Sequence, residues 1–217
     1  IDVDKPIARR LTSNISNVSS PIISPDGKLI AYIGNEDGNT EIYLMPINGG
    51  ISKRLTYEGG HISNITYWDK NNIYYSSSLE SPFGREYDLR MVSVKGGLSK
   101  NLKYGMIRNF SKQNKNIVLG KNTGDSARWK RYKGGTAGKL LININGSKTN
   151  FKYLLDLNGN ICSPMIIINR IYFISDHEGI ANIYSCTLKG DDIKRHTKHK
   201  NYYVRNASFN GNQIVYQ

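Results

Sequence analysis

Cysteine is almost missing from this chain: 217 residues carry two, Cys162 and Cys186. That excludes a disulfide scaffold, which needs dense cysteine to replace a core. The repeat described below puts the two on strands separated by a third, about 9–10 Å apart and too far to bridge. Both read as small core residues in a reducing, cytoplasmic setting. Long apolar runs are also missing. None approaches the ~20 residues of a membrane-spanning helix, so no membrane role is expected. The opening Ile1-Asp2-Val3-Asp4-Lys5-Pro6 has neither the charged region nor the apolar stretch of a signal peptide. Residue 1 is not Met, which reads as a boundary and not a native terminus. Acidic residues are scarce, 17 against 30 Lys and Arg, for a net charge of +13. The excess favours nucleic acid, anionic lipid or peptides with free carboxylates, without choosing among them. Six Asn-x-Ser/Thr sequons, at Asn14, Asn17, Asn64, Asn109, Asn145 and Asn206, read as chance in an Asn-rich chain without a secretion signal.

What the chain has is a repeat. Asn48-Gly49-Gly50-Ile51-Ser52-Lys53 returns 47 residues on as Lys95-Gly96-Gly97-Leu98-Ser99-Lys100. Arg9-Arg10-Leu11-Thr12 returns as Lys53-Arg54-Leu55-Thr56, and more weakly as Lys194-Arg195-His196-Thr197. Ser20-Pro21-Ile22-Ile23 is echoed by Ser163-Pro164-Met165-Ile166, and Glu41-Ile42-Tyr43 by Asn182-Ile183-Tyr184. Between the echoes lie short aromatic and β-branched runs bounded by Gly, Pro and Asn turns, with no sustained helical period. Four short strands every 45 or so residues is the spacing of propeller blades, each needing neighbours to cover its two faces. A β-sandwich of equal strand count does not predict the recurrence. The expected fold is therefore all-β, a β-propeller of four-stranded blades. Its segments are 1–14 (the last strand of a preceding blade, Pro6–Thr12), 15–58, 59–104, 105–158, 159–200, and 201–217 (the first half of a further blade). Fourth strands are expected at Ser52–Tyr57, Ser99–Lys103, Phe151–Leu157 and Ile193–His199. Three leftover strands could close a five-bladed ring; a longer chain cut at both ends is the preferred reading.

Specific strings then point to a family. Trp129-Lys130-Arg131-Tyr132-Lys133-Gly134-Gly135-Thr136-Ala137-Gly138-Lys139 resembles a signature of the tricorn protease propeller, as do Arg170–Asp176, Ile183–Ser185, Lys194–Thr197 and Tyr202–Arg205. The Ser24-Pro25-Asp26-Gly27 turn is shared more broadly with TolB-like propellers. The resemblance covers essentially the whole chain. It implies a six-bladed propeller, incomplete at both ends here, without the catalytic domains of a large archaeal cytoplasmic serine peptidase that trims proteasome products. It implies a scaffold and gated channel for oligopeptides, with the parent's catalytic domains as partners and a hexameric assembly. The family's Arg-Arg carboxylate anchor, on an insertion after its second blade, has no counterpart in the short Glu58-Gly59-Gly60-His61 connection. The alternative is a standalone TolB-like propeller serving as a protein–protein interaction platform.

Candidate chemistry is sparse. A serine hydrolase needs Ser, a base and an orienting acid. The chain offers His61, His177, His196 and His199 but no Gly-x-Ser-x-Gly elbow, and catalysis by this chain alone is not expected. Asp176-His177-Glu178 could be metal ligands, but adjacent residues rarely converge on one ion, and a solvated loop is preferred. No cofactor or metal is expected. Arg128-Trp129-Lys130-Arg131-Tyr132-Lys133 interleaves cations with aromatics. Arg128, Lys130, Arg131 and Lys133 could guide peptide carboxylates. The string could bind nucleic acid by phosphate contacts and stacking. It could also be a plain loop pinned by Trp129 and Tyr132 packing, its cations solvated; the resemblance favours the guide or the plain loop over nucleic acid. Lys194–Lys200 reads as a charged outer strand that blocks edge pairing.

Overall fold

The structure, a computed structural model, describes residues 8–12, 17–144, 146–147, 149–211 and 213–217. Pro6, Ile7, Asn14 and Asn145 lie outside them. The first four-stranded sheet holds β1 (Ser19–Ile23), β2 (Leu29–Gly34), β3 (Glu41–Pro46) and β4 (Lys53–Arg54). The second holds β5 (Ile62–Trp68), β6 (Asn72–Ser77), β7 (Asp88–Ser93) and β8 (Lys100–Asn101). The third holds β9 (Ile107–Gln113), β10 (Asn116–Lys121), β11 (Lys139–Asn143) and β12 (Lys152–Tyr153). The fourth holds β13 (Ile161–Ile167), β14 (Arg170–Ser175), β15 (Asn182–Thr187) and β16 (Lys194–Arg195). A two-stranded hairpin, β17 (Ser208–Asn210) and β18 (Gln213–Val215), follows. Strands adjacent in sequence are adjacent in each sheet, and no helix is assigned among the described residues. Packing divides the chain into two compact units, Ile1–Glu86 with Arg90–Asn101, and Tyr87–Leu89 with Leu102–Gln217.

The central strands read as continuous apolar runs because both of their faces are covered. On β14, Ile171 and Phe173 join a core with Val118, Leu140 and Ile142 of the third sheet. Between them, Tyr172 and Ile174 face the other way, with Val204, Ala207 and Ile214. Successive side chains of a strand point to opposite faces, so one strand feeds two cores. In the first unit, Ala31 and Ile33 pack against Ile62, Trp68 and Tyr75 of the second sheet, while Tyr32 turns to Tyr43, Met45 and Leu11.

Two of the sequence echoes acquire causes. Ser20 and Ser163 sit at φ of 53° and 50°, inside register shifts of β1 and β13. Each is a bulge residue followed by proline, a position where ordinary residues are pushed toward extended backbone. The Lys/Arg-Arg-x-Thr echo is a lock. Arg10, Arg54 and Arg195 each donate from Nε to the carbonyl of the Thr two residues on, at 2.6, 2.9 and 2.8 Å. The hydroxyls of Thr56 and Thr197 accept the amides of Ile42 and Ile183, both at 2.9 Å. They donate to Glu41 and Asn182, the fully buried first residues of β3 and β15, at 2.5 and 2.8 Å.

The outer strands are shorter than their pattern suggests. Ladder pairing covers only Lys53–Arg54 of Ser52–Tyr57, and the other fourth strands shrink to Lys100–Asn101, Lys152–Tyr153 and Lys194–Arg195. Leu55 and His196 each add one more backbone bond, to the carbonyls of Ile42 and Ile183, and beyond them the threonine lock replaces the ladder, which limits the exposed edge. Residues 8–12 carry no strand; a fourth strand pairs only with the third strand of its own sheet, and none pairs here. Of Tyr202–Phe209 only Ser208–Phe209 is strand. Cys162 on β13 and Cys186 on β15 are separated by β14 and are free and buried. Burial pushes their thiols up, to about 11 and about 12.

Candidate functional site

Seventeen residues, 122–138, join β10 to β11, far more than a hairpin needs. They fold into successive tight turns closed by backbone bonds from Arg128 to Asp125, Tyr132 to Trp129 and Ala137 to Gly134. Asp125 opens the first turn by also accepting the Ala127 amide on its side chain, at 3.0 Å, as short acidic residues do at turns.

The anchors lie just before β13, just after β14 and beyond β16. The Asp176 carboxylate, at the end of β14, accepts the backbone amide of Arg131 at 2.6 Å and that of Asn160 at 2.7 Å. Asp176 is 1% exposed. A buried carboxylate is tolerable because charge-assisted hydrogen bonds from fixed amides replace its water. The bond also holds Arg131 at a φ of 56°, a left-handed conformation unusual for arginine. The Asn160 amide group donates to the Trp129 carbonyl at 2.8 Å, and Arg205 donates to the Asp125 carboxylate from Nε at 2.8 Å and from Nη2 at 2.5 Å.

This overturns two expectations. Asp176 is not part of a solvated loop. Nor is the 122–138 connection pinned by Trp129, which is 63% exposed; its ring touches Tyr132 at 5.1 Å, and backbone bonds to Asp176 and Asn160 hold the loop. Sequence singles out Asp176 only as a possible metal ligand and not as an anchor, because its amide partner Arg131 is 45 residues upstream.

Five arginines are neutralised by carboxylates: Arg54 by Glu41, Arg90 by Glu58 and Glu80, Arg170 by Asp192, Arg195 by Glu178, Arg205 by Asp125. The loop cations Arg128, Lys130, Arg131 and Lys133 are all exposed, and among the described residues none of the four side chains pairs with a carboxylate. Lys130 instead places its ammonium 5.3 Å from the centre of the Tyr203 ring. The result is a fixed backbone presenting uncompensated positive charge beside an exposed indole.

The remaining candidates do not converge. His177 is hydrogen-bonded through Nδ1 to the Ser175 hydroxyl at 2.9 Å, and Glu178 takes the Tyr184 hydroxyl and Arg195 at 2.8 and 3.1 Å, so Asp176, His177 and Glu178 point to three separate partners. Ser175 contacts His177 and Ser185 contacts His196 Nε2 at 2.7 Å, but both serines are 0% exposed. The Ser185 hydroxyl also faces the Arg170 guanidinium at 3.1 Å, where a triad would place its acid beside the histidine. Burial lowers the affinity of both histidines for a proton, with Arg170 and Lys194 adding to the effect at His196. His61 bonds Thr40 and His199 bonds Tyr216.

Comparison with known proteins settles the lineage. The family described as the tricorn protease N-terminal beta propeller domain matches residues 2–217. The chain belongs to this family. A tricorn protease homolog of Saccharolobus solfataricus is 38% identical over 211 residues, 96% of this chain and 20% of that protein. The crystal structure of the tricorn protease superposes with a TM-score of 0.85 at 29% identity, over 96% of this chain and 21% of that one. A putative TolB from Agrobacterium tumefaciens shares the fold, with a TM-score of 0.74 at 15% identity over 96% of this chain and 72% of that one. This tricorn-type propeller chain thus spans about a fifth of the length of the tricorn relatives it matches. Its four-stranded sheets are blades of an all-β propeller.

Proposed function

We propose that this chain is the non-catalytic propeller of a tricorn-type serine peptidase, acting as scaffold and gated channel that draws oligopeptides toward catalytic domains carried elsewhere. The observation that supports it is the loop 122–138, which gathers four exposed cations without carboxylate partners between Arg128 and Lys133 on a backbone held by Asp176 and Asn160. Fixed, uncompensated charge raises the local concentration of anionic ligands and speeds their capture. The blades are assigned to 15–58, 59–104, 105–158 and 159–200, with 1–14 and 201–217 as parts of further blades in a six-bladed ring. A cytoplasmic, hexameric parent follows from the same reading.

The test has two parts. Short acidic peptides should bind the 217-residue chain at low salt and lose most affinity between 50 and 500 mM salt (about a threefold shorter screening length). The chain alone should neither hydrolyse them nor react with a fluorophosphonate probe. An antibody to this region should capture from source cells a polypeptide several times longer that does react. A native polypeptide of only this length would sink the peptidase reading in favour of a free-standing TolB-like binding platform.

A further inference from the structure

The rings beside the basic loop have no part in guiding peptides, which needs charge alone. Trp129 is 63% exposed, and Tyr202, in the segment after the fourth sheet, is 79% exposed. Large aromatics usually lose most of their surface on folding, whereas these two keep a face in water. Their neighbours hold them in place. Tyr132 buttresses the indole, with ring centres 5.1 Å apart. Tyr203, next to Tyr202, is half-buried and donates its hydroxyl to the Gly179 carbonyl at 3.2 Å. Its ring carries the Lys130 ammonium at 5.3 Å, and Arg205 pairs with Asp125. The loop and the 202–205 segment therefore lie against each other, within one compact unit.

Cations frame these rings. Arg128, Lys130, Arg131 and Lys133 come from the loop, and Lys198 and Lys200 from the residues just before Tyr202. All six are exposed, and among the described residues none pairs with a carboxylate. The neighbouring carboxylates are already consumed: Asp125 by Arg205, Asp176 by the amides of Arg131 and Asn160, Glu178 by Tyr184 and Arg195. A peptide terminus offers a single negative charge, whereas a phosphodiester strand offers one at every nucleotide. Cations interleaved with open rings match the strand: phosphates meet the cations, and unstacked bases lie on the rings. Bases in a duplex are stacked on one another and do not reach such rings.

We propose that the loop 122–138 and residues 198–205 form a surface for single-stranded nucleic acid, with Trp129 and Tyr202 as stacking platforms and the six cations as phosphate contacts. Asp176 and Asn160 fix the loop backbone, so the platform is in place before a strand arrives. This surface can serve beside the peptide-guiding role and does not depend on it.

Fluorescein-labelled octamers of uridylate and thymidylate would be titrated into the 217-residue chain and followed by anisotropy. Tryptophan emission with unlabelled strands reads the platform, since Trp129 is exposed and Trp68 is 6% exposed. The controls are an abasic octamer, which keeps the phosphates and lacks the bases, and octaglutamate. Either strand should bind about tenfold tighter than both controls and quench the emission, stacking of one base supplying a difference of this order; the tighter strand identifies the sugar. With about four phosphates engaged, log K should fall against log salt with a slope of about −3. Trp129→Ala should weaken strand binding about tenfold and leave the slope unchanged. Lys133→Gln should reduce the slope by about one. Both variants alter exposed side chains and should keep the parental Tm. An abasic octamer that binds as tightly as the strands, or a Trp129→Ala variant with parental affinity, overturns the surface. Octaglutamate binding tighter than both strands leaves only the peptide role. Strands that bind while short acidic peptides do not leave only the nucleic-acid role.

Discussion

Replacing Asp176 by Asn changes two atoms' chemistry and almost no volume, and its effect can be worked through. Each carboxylate oxygen accepts one backbone amide, Oδ1 that of Asn160 and Oδ2 that of Arg131. An amide group has one acceptor oxygen and one NH2, so one of the two backbone donors must face another donor. A charge-assisted bond of about 1.5–3 kcal/mol is lost, and a buried N–H is left unmet at about 1–3 kcal/mol. Allowing for relaxation, a net cost of ~3 kcal/mol is expected. For a chain of this size that is a fall in Tm of about 6–12 °C, measured by circular dichroism. Release of the loop should also expose Arg128, Lys130, Arg131 and Lys133 to trypsin, raising the initial cleavage rate there about tenfold at temperatures where the sheets remain folded. Arg131→Ala is the counter-experiment. It keeps the backbone amide that Asp176 binds and should leave Tm within about 1 °C. An Asp176→Asn variant with parental Tm and parental tryptic pattern would refute the claim that this carboxylate holds the loop.

The remaining predictions concern the framework. Thr56→Val keeps shape but strips a hydroxyl that serves both Ile42 and buried Glu41, and should cost about 2–3 kcal/mol in urea unfolding, whereas Thr12→Val should cost less than 1 kcal/mol, Thr12 being only partly buried. His177 and His196 both have folded-state pKa values below the unfolded value, so the unfolded chain binds more protons as pH falls. Stability should therefore be full above about pH 6.5 and decline below it. Urea midpoints at pH 7.5 and 5.5 check this, and His196→Gln should flatten the slope. With both thiols raised by burial, Cys162 and Cys186 should resist Ellman's reagent in the native protein and react as two thiols in guanidinium.

What sequence revealed tracks how local the physics is. Ile171-Tyr172-Phe173-Ile174 announces a strand buried on both faces because every member is apolar or aromatic, whichever face it takes. The glycine pairs at Gly49-Gly50 and Gly96-Gly97 announce hairpin turns because all four adopt positive φ. The extent of the outer strands was not legible: a threonine hydroxyl can mimic a ladder bond, so the Arg-x-Thr string looks like strand while acting as its terminator. The candidate loop was legible as a cationic, aromatic string. Its support was not, because Asn160, Asp176 and Arg205 are distant in sequence and look like ordinary turn and surface residues. Trp129 misled for a physical reason: large aromatics usually bury, and this one is left outside when backbone bonds do the holding.

The loop that carries the uncompensated charge is covalently part of the third sheet and is held by residues that flank the strands of the fourth sheet or follow them. Grafting it onto another propeller would therefore fail if only 122–138 were moved. The heritable unit is a mosaic of four short stretches, around 122–138, 160, 176 and 205, and drift in any one of them would blunt the others. Paralogues that keep the basic string but lose the acid at the position of Asp176 should carry the same charge on a backbone that no longer aims it.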